Sequence, residues 1–481
     1  MLSVVTCLRS SLMAALVIVA GASVQAEEAV APDPARAYSH FIKANDYYTN
    51  QELEMAVQEY KTALLYDPLH ADTLCNLGSV LQDLGEFVLS REYYAKAVSA
   101  NPYHAVAHFN LGLLVHDEDV DTAIEHYQSA VEMDPSMADA WSNLGSAYHH
   151  DNHLEDALGC YQEAIQLYET EEAYRALPYT EDVLATLNYH TSLVLGRLPD
   201  KRCMNGGCEA QRMEVLRRCL RHNPEHALCM HNLESMLGSS KMTKASSEYV
   251  RALFHFYATS FEESLKDLDY SAPQKLRDVL GKLRPRYREV FDAGCGTGLL
   301  GPLFRDISDT LIGVDLSEAM LESAVEKGVY DALAEGEIVE VLRMRAGQGI
   351  KGDLVVAADV FVYIGDLEDV VSAARDYLVD DGVLAFTCEL SASEQCAAAG
   401  GCLGWQLLSS GRFAHTKAYL LQVAERWDFD VVHYQEIIPR TEGGEPVPGQ
   451  LVVLVKRGGA ESGEGVASRD MGGVSGGSSE L

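Results

Sequence analysis

The sequence predicts two structural parts: an all-α array of helical repeats, then an α/β domain built on a mostly parallel sheet. Between positions 35 and 170, residues recur with a period near 34, the length of one helix-turn-helix unit. After Lys244 this period ends, and short apolar runs alternate with helical patterns, as in a parallel sheet covered by helices on both faces. At 481 residues, the chain is long enough for two or three hydrophobic cores.

Prolines, Leu-Gly pairs, tyrosines and alanines define the repeat. They are Pro68, Pro102 and Pro135; Leu77-Gly78, Leu111-Gly112 and Leu144-Gly145; Tyr60, Tyr94, Tyr127 and Tyr161; and Ala63, Ala97, Ala130 and Ala164. Small residues let paired helices approach, the tyrosine fills the space between them, and proline ends the second helix. This pattern resembles the tetratricopeptide repeat. The fullest match is Trp141, Leu144, Gly145, Tyr148, Ala157, Tyr161 and Ala164.

We therefore predict a tetratricopeptide solenoid over residues 35–240, with four clear repeats to about residue 170 and one or two degenerate repeats after it. The resemblance implies a protein partner bound by the array, or a scaffold for the domain that follows. The repeat residues are core positions and do not decide between these roles.

A glycine-rich turn, FDAGCGTGLL at residues 291–300, follows a predicted strand and precedes a predicted helix. Its glycines, at alternate positions, allow a ligand to approach the backbone. The dinucleotide pattern GxGxxG would place its third glycine at position 299, where the chain has leucine. An acidic residue, Asp292, precedes the glycines, and a carboxylate favours a ligand that carries positive charge.

The pattern DxGxGxG resembles motif I of class I S-adenosylmethionine-dependent methyltransferases, whose cofactor carries an ammonium and a sulfonium group. We therefore expect a Rossmann-like, seven-stranded class I methyltransferase domain over residues 245–457. The order of this domain after the array, with the stretches GRFAHT and GEPVPG, resembles the predicted methyltransferases with tetratricopeptide repeats. Their catalytic domain is similar to the Williams-Beuren-region methyltransferase-like proteins.

The resemblance implies a set of cofactor-binding residues. They are Asp292, Gly294, Cys295, Gly296 and Gly298 in motif I, Asp315 for the ribose hydroxyls, Leu316 and Met320 beside the adenine, Glu337 near the adenine amino group, Asp359 at motif IV, and Tyr257 in the element that folds over the cofactor. Two alternatives stay open. Asp315 can instead cap the next helix, with Ser317 as the rival cap, and Tyr257 and Phe261 can be core residues of an amphipathic helix.

The catalytic candidates are Asp359, Tyr363 and His415. Methyl transfer from a sulfonium is an in-line displacement, so much of the rate enhancement can come from positioning. A general base is needed only if the acceptor arrives protonated. His415 can equally be a structural histidine beside a turn, and Glu389, at the end of the fifth predicted strand, is open to the same two interpretations.

The formal net charge of -35 disfavours a nucleic-acid acceptor, because phosphates would be repelled. Motif IV lacks the Asn/Asp-Pro-Pro-Tyr/Phe segment of nucleic-acid amino-methylating enzymes, and Cys295 lacks the Pro-Cys context of cytosine-C5 enzymes. A small molecule or a protein side chain remains as acceptor. Two other functions stay open: an adaptor whose methyltransferase-like domain binds cofactor without turnover, and, on the glycines alone, a nicotinamide oxidoreductase.

Residues 1–26 have the pattern of a cleavable leader, with Arg9, an apolar run at 12–20 and Val24-Gln25-Ala26 before two glutamates. We expect either the secretory pathway or an organelle, or the cytoplasm if the leader is not used. No membrane span is predicted in the mature chain, because no later run is long and apolar enough. Residues 458–481 are poor in large apolar residues, which predicts a disordered tail.

Eleven cysteines are present, and one of them lies in the leader. Most occur singly in helical or strand-like patterns, where buried free thiols are common. Only Cys203 and Cys208, in the loop RCMNGGC, are placed for a local disulfide. We predict no metal site, because no set of further ligands has a suitable spacing.

Overall fold

The computed structural model describes residues 31–203, 207–238, 242–258, 261–391 and 403–458. The predicted leader lies outside these residues, as does the predicted tail from position 459 onward. The chain forms two compact units, Met1–His153 and Leu154–Leu481. Their division falls inside the fourth repeat, and the domain boundaries given above stay a prediction. None of the described helices is long and apolar enough to cross a membrane.

The first unit consists of paired helices, as the 34-residue period predicts. They are α1 Pro34–Thr49, α2 Leu53–Tyr66, α3 Ala71–Asp83, α4 Phe87–Ala100, α5 Ala105–Val115, α6 Val120–Met133 and α7 Ala138–His150. The second helix of each of the first three pairs ends two residues before Pro68, Pro102 or Pro135. Proline thus marks the predicted helix ends.

The glycines of the repeat are required by close helix packing. A Cβ atom on Gly78 would lie 2.7 Å from Cε1 of Tyr94, and one on Gly112 would lie 2.5 Å from Cε1 of Tyr127. Both tyrosines are almost completely buried. The ring therefore occupies the space that a larger residue would need.

The helices of the second unit include the degenerate repeats and those that cover the sheet. They are α8 Leu154–Thr170, α9 Glu172–Arg175, α10 Thr180–Arg197, α11 Cys208–His222, α12 Ala227–Leu237, α13 Ser247–Tyr257, α14 Phe261–Asp267, α15 Ala272–Leu283, α16 Gly301–Phe304, α17 Glu318–Glu326, α18 Ile338–Gly347, α19 Glu368–Tyr377 and α20 Lys417–Arg426. Short 3-10 turns occur at Asp200–Arg202, Arg305–Ile307 and Phe361–Tyr363.

The described strands form one nine-stranded sheet. They are β1 Tyr287–Ala293, β2 Ser308–Asp315, β3 Ala332–Glu335, β4 Gly352–Ala357, β5 Leu378–Leu390, β6 Trp405–Leu407, β7 Phe413–His415, β8 Phe429–Glu442 and β9 Glu445–Lys456. Strands β3-β2-β1-β4-β5 are parallel in that order, β9 is antiparallel to β5, and β8 is antiparallel to β9. These seven strands confirm the predicted fold class.

The two additional strands are β6 and β7. β7 pairs with the last residues of β5, and β6 pairs with β7. Strands of three residues carry no periodic signal in the sequence, which is why they escape prediction. The strand order reverses between β1 and β4, and in such sheets ligands bind at the carboxyl ends of the strands near this point.

Helices α10 to α13 share one hydrophobic cluster in the second unit. Tyr189 of α10, Leu216 of α11, Leu228 of α12 and Tyr249 of α13 are buried in it, and Tyr363 packs against it. The degenerate repeats α10 to α12 therefore pack with an element that lies before the first strand of the sheet.

Two disulfides are present, Cys203–Cys208 and Cys219–Cys229. The second corrects the expectation that only the first pair is placed for a bridge: α11 and α12 form a hairpin that brings residues ten positions apart together. His226 lies close to Cys219 and Cys229, and the three ligand atoms are within 4.8 Å of one another. Because the two sulfurs are bonded to each other, and the His226 ring accepts a hydrogen bond from the Cys229 backbone, we assign no metal to this group.

We predict that Gly112→Ala destabilises the protein by about 1–3 kcal/mol, because the added methyl group overlaps a buried ring. The matched control is Gly159→Ala, in an exposed helical position with no heavy atom within 4 Å of the added Cβ. It should gain about 0.5–1 kcal/mol from helix propensity. Chemical denaturation of the full chain measures both, and equal stability of the two variants would contradict the packing described.

Candidate active site

A cavity of about 480 Å³ opens in the second unit at the carboxyl ends of β1, β2 and β4. This volume is typical of sites for small organic ligands. Most of the residues predicted from the sequence line it: Asp292, Gly294, Cys295, Gly296, Asp315, Leu316, Met320, Asp359, Tyr363 and Phe261. Gly298, Glu337 and His415 are not among the described lining residues. Tyr257 ends α13, and its side chain lies outside the described residues.

The three glycines of the turn have different roles, although each has a positive φ. A Cβ atom on Gly294 would lie 2.6 Å from Val360, and one on Gly298 would lie 3.0 Å from Tyr330. The nearest atom to a Cβ on Gly296 would be 4.0 Å away. Gly294 and Gly298 thus allow the turn to pack, whereas Gly296 leaves backbone open to the cavity.

Asp315, the last residue of β2, fastens this turn to the sheet. Its Oδ2 accepts a hydrogen bond of 2.8 Å from the Gly296 N–H, and its Oδ1 accepts one of 2.9 Å from the Ser317 N–H. Burial raises the pKa of Asp315, and these backbone N–H groups oppose the rise. The cap of α17 is Ser317, whose hydroxyl accepts from the Met320 N–H. Asp315 is therefore not needed to cap that helix.

Asp292, in β1, is almost completely buried and accepts a hydrogen bond of 2.7 Å from the Tyr330 hydroxyl. Burial raises its pKa to about 7. A carboxylate in this environment is costly to charge unless a cation lies nearby. At this end of the cavity, two carboxylates thus lie beside an exposed backbone segment.

Asp359 lies just after β4 and is held at both carboxylate oxygens. Its φ is +54°, a left-handed conformation that is uncommon outside glycine. Its N–H donates to Thr387 Oγ1 over 2.8 Å, and the Thr387 hydroxyl donates to Oδ1 over 2.7 Å. Arg440 donates to Oδ2, also over 2.7 Å. These contacts hold a strained backbone in one conformation.

A cluster of alternating charges forms the second end of the cavity. Arg440, with only 4% of its side chain exposed, pairs with Asp359, Glu389 and Glu442. Arg412 pairs with Glu442 and lies 3.7 Å from Glu389. We call these five residues the ionic cluster. All of them except Glu389 line the cavity.

Of this cluster, Asp359 and Glu389 are candidates from the sequence, whereas Arg412, Arg440 and Glu442 are not. A signal is present for Arg440, which directly follows the apolar run Ile437-Ile438-Pro439 near the end of β8. A charged residue that is buried next to such a run is seldom without a partner. Arg412 belongs to the stretch GRFAHT of the family resemblance, but that stretch alone gives no role to its arginine.

Two tyrosines, Tyr270 and Tyr363, also line the cavity. Burial raises the pKa of both phenols, so both are protonated at neutral pH. The ring of Phe254 contacts Tyr363 and Phe261 edge-on, with centroids 5.6 and 5.8 Å apart. These aromatic rings form an apolar wall.

The structure does not bring His415 or Glu337 to the cavity. The His415 ring is fully buried in β7 and donates from Nε2 to the Gly365 carbonyl over 3.0 Å, and burial lowers its pKa to about 4. These contacts are those of a structural histidine. Glu337 caps α18 by accepting from the Val339 N–H, and it pairs with Lys244 over 3.2 Å.

The helix α12 supports the turn that carries Arg412. Its residue His231 donates from Nε2 to the Gly411 carbonyl over 2.7 Å. The His231 ring also stacks on Tyr249, with centroids 3.7 Å apart, and Tyr249 lines the cavity. Helix α12, in the last of the degenerate repeats, thus supports both the turn that carries Arg412 and the cavity residue Tyr249.

Two family profiles match the chain. One, described as a methyltransferase domain, matches residues 291–384, and the other, described as a tetratricopeptide repeat, matches residues 43–105 and 113–172. A curated relative from Hordeum vulgare, described as a probable UDP-N-acetylglucosamine–peptide N-acetylglucosaminyltransferase SPINDLY, is 33% identical over 117 residues. This match covers 23% of the chain and spans only 12% of the relative.

Two similar solved structures each match less than half of the chain. The MamA protein has 19% identity and a TM-score of 0.32, covering 40% of this chain and 94% of that one. Magnesium protoporphyrin IX methyltransferase from Synechocystis PCC 6803, with bound SAH, has 15% identity and a TM-score of 0.34, covering 44% of this chain and 100% of that one. The family profiles establish that the chain contains tetratricopeptide repeats and a methyltransferase domain.

We predict that the Asp292→Asn variant is more stable than wild type at high pH, and that this difference in stability grows as the pH increases. The folded pKa of about 7 lies above the ordinary value of 3.8, so the stabilising contribution of protonated Asp292 is present at low pH and is lost as the pH rises toward 7. Asparagine keeps the acceptor for Tyr330 without the charge. The two proteins should be similar near pH 4 and differ by on the order of 4 kcal/mol at pH 8.

Denaturant titrations at pH 4, 6 and 8 measure this difference. The control is Asp331→Asn, because Arg305 lowers the pKa of that carboxyl, which gives the opposite sign. Wild type should be the more stable partner in this second comparison near pH 7. A pH-independent difference for Asp292→Asn would contradict the burial of a titrating carboxyl.

Proposed function

We propose that this chain, which joins tetratricopeptide repeats to a methyltransferase domain, is an S-adenosylmethionine-dependent methyltransferase. The observation that carries the proposal is the arrangement at the carboxyl ends of β1 and β2. There Gly296 leaves backbone open to the cavity while Asp292 and Asp315 lie beside it. Parallel sheets of this order bind their ligands at this edge.

The residues fit the cofactor. Asp292 offers a carboxylate that is costly to leave unpaired, which suits the positively charged amino-acid end of the ligand. Asp315 would hold the ribose hydroxyls, because each of its oxygens has accepting capacity beyond the backbone bond it already makes. Leu316, Met320 and Ile338 line the same cavity and would contact the adenine.

When bound, the cofactor supplies a methyl group on a positively charged sulfur, which is an activated leaving group. The protein then has to exclude water and hold the acceptor in line with this methyl. The apolar wall formed by Phe254 and Phe261 would exclude water, and the ionic cluster holds the polar side chains of the same cavity in one arrangement. Asp359 belongs to this arrangement, because Thr387 and Arg440 fix both of its carboxylate oxygens.

We also propose that the repeat array binds a protein partner, as tetratricopeptide repeats can. An adaptor without turnover is the second candidate. It is supported by the ion pairing of Asp359 and Glu442, the two carboxylates of the ionic cluster that line the cavity, with arginine. Methyl transfer that needs no base is equally consistent with this pairing. Binding of S-adenosylhomocysteine without any methyl transfer to cell extract would favour the adaptor.

We predict that Gly296→Ala weakens binding of S-adenosylhomocysteine at least tenfold, which is about 1.4 kcal/mol, because the new methyl group enters the cavity. The matched control is Gly349→Ala, which also has a positive φ, +78°, and open space around the added Cβ. Both variants should lose about 1–2 kcal/mol of stability from left-handed backbone strain. Only Gly296→Ala should lose affinity.

Titration calorimetry on the full chain measures the affinity. Asp315→Ala provides a second variant at the same end of the cavity and should also weaken binding. Absence of heat with wild type, or equal affinity in wild type, Gly296→Ala and Asp315→Ala, would reject the cofactor site.

A further inference from the structure

Resting on the proposed function, we infer that the methyl acceptor is a carboxylate on an apolar body, and that Arg412 binds it. The polar surface at the acceptor end of the cavity is formed by Arg412, Arg440, Asp359 and Glu442. The atom that is methylated is an oxygen of the acceptor carboxylate.

At this end, both carboxylates among the described lining residues, Asp359 and Glu442, are ion-paired with arginine. Each oxygen of Asp359 already accepts a hydrogen bond, one from Thr387 and one from Arg440, and these bonds hold the strained backbone at this position. Burial raises the pKa of Glu442, but Arg412 and Arg440 outweigh this effect and lower it, so Glu442 is a weak base. Neither lysine nor histidine occurs among the described lining residues.

A carboxylate acceptor needs no base. Its oxygen lone pair attacks the methyl carbon, the O–CH₃ bond forms and the C–S bond breaks, with the bonding electrons going to sulfur. The carboxylate loses its negative charge and the sulfonium its positive charge, so a neutral ester and a neutral thioether result. No proton has to leave, unlike for an ammonium or hydroxyl acceptor.

Arg412 has donors available for this ligand. One guanidinium nitrogen pairs with Glu442, and the group also contacts the Tyr363 hydroxyl. The remaining N–H groups have no hydrogen-bond acceptor among the described residues, and the side chain is 26% exposed. A planar guanidinium can bind a carboxylate through two parallel hydrogen bonds.

Arg440 provides the contrast that singles out Arg412. It is only 4% exposed, and each of its three guanidinium nitrogens already pairs with a carboxylate. At the cavity surface, the two arginines balance the charges of Asp359 and Glu442. Glu389, which pairs with Arg440 but does not line the cavity, adds one further negative charge to the cluster, so binding of an incoming carboxylate depends on direct pairing with Arg412.

The body of the acceptor should be apolar. Leu265, Leu268 and Phe254 line the same cavity, and these side chains offer no hydrogen bonds. Either a free organic acid or a carboxyl group of a protein would satisfy this chemistry. Fractionating the labelled products distinguishes the two sources.

The experiment offers S-adenosylmethionine carrying a tritiated methyl group, together with the full-length protein, to cell extract. The products are separated into acid-insoluble protein and small molecules, and each fraction is then treated with alkali. Methyl esters hydrolyse to volatile methanol, whereas N-methyl, S-methyl and ether products keep the label. We expect most of the label in one fraction to become volatile.

Alkali-stable label would overturn the carboxylate inference and leave the methyltransferase function standing. Absence of label in every fraction, with S-adenosylhomocysteine binding intact, would overturn catalysis itself and the inference with it. Gly296→Arg, which blocks the cavity at the glycine turn, serves as the background control.

Arg412→Gln tests the assigned residue on the labelled fraction. We expect the KM for the acceptor fraction to rise at least tenfold, with unchanged affinity for S-adenosylhomocysteine. Arg412→Lys keeps the charge but not the two-fold donor geometry, so it should show a partial loss even if the glutamine variant is unstable. The control Arg343→Gln removes an exposed ion pair with Asp369 and should behave as wild type. Unchanged KM in both Arg412 variants would contradict the assignment.

Discussion

The buried guanidinium of Arg440 is the interaction on which the acceptor end of the site depends. It joins three carboxylates that come from different parts of the sheet: Asp359 after β4, Glu389 in β5 and Glu442 at the end of β8. Removing charges from water is costly, and the cost is offset only where geometry and hydrogen bonding are good. A cluster of this kind is therefore weak evidence for stability and better evidence for a surface that must stay in one arrangement.

The glycine turn forms the other end and is held by a different interaction. Here the Asp315 carboxylate accepts hydrogen bonds from the backbone N–H groups of Gly296 and Ser317. The bond from Gly296 ties the turn to β2 without a cation. One end of the cavity thus carries two acidic residues beside the glycine turn, and the other carries the ionic cluster, in which two arginines pair with three carboxylates. A ligand with a positive centre suits the first end, and the donors of Arg412 suit a carboxylate at the second.

Much of this arrangement follows from the sequence, because it depends on local patterns. The repeat pattern predicts close packing of glycine against tyrosine, and the structure places Gly78 against Tyr94 and Gly112 against Tyr127. The glycine turn and Asp315 follow strands with clear apolar runs, so their position at one sheet edge could be inferred. Strand order then brings them together.

The remaining features depend on contacts between distant residues. Arg440 near the end of β8 meets Asp359 after β4, and Arg412 before β7 meets Glu442, only because the sheet brings these segments together; no short motif encodes these contacts. The Cys219–Cys229 disulfide likewise depends on how α11 and α12 pack. His415 shows that a distinctive sequence stretch can also mislead. Its ring is a candidate for catalysis from the sequence, yet in the structure it is buried and donates a hydrogen bond to the Gly365 carbonyl.

The role of Arg440 is tested most directly by the unfolding free energy of Arg440→Met, measured by denaturant titration beside the control Arg426→Met, whose side chain is half exposed. Without the buried cation, Asp359, Glu389 and Glu442 lose their shared partner, so we expect a loss of about 3–5 kcal/mol. The control should change by less than about 1 kcal/mol. Equal stability of the two variants would contradict the claim that Arg440 holds the acceptor end together.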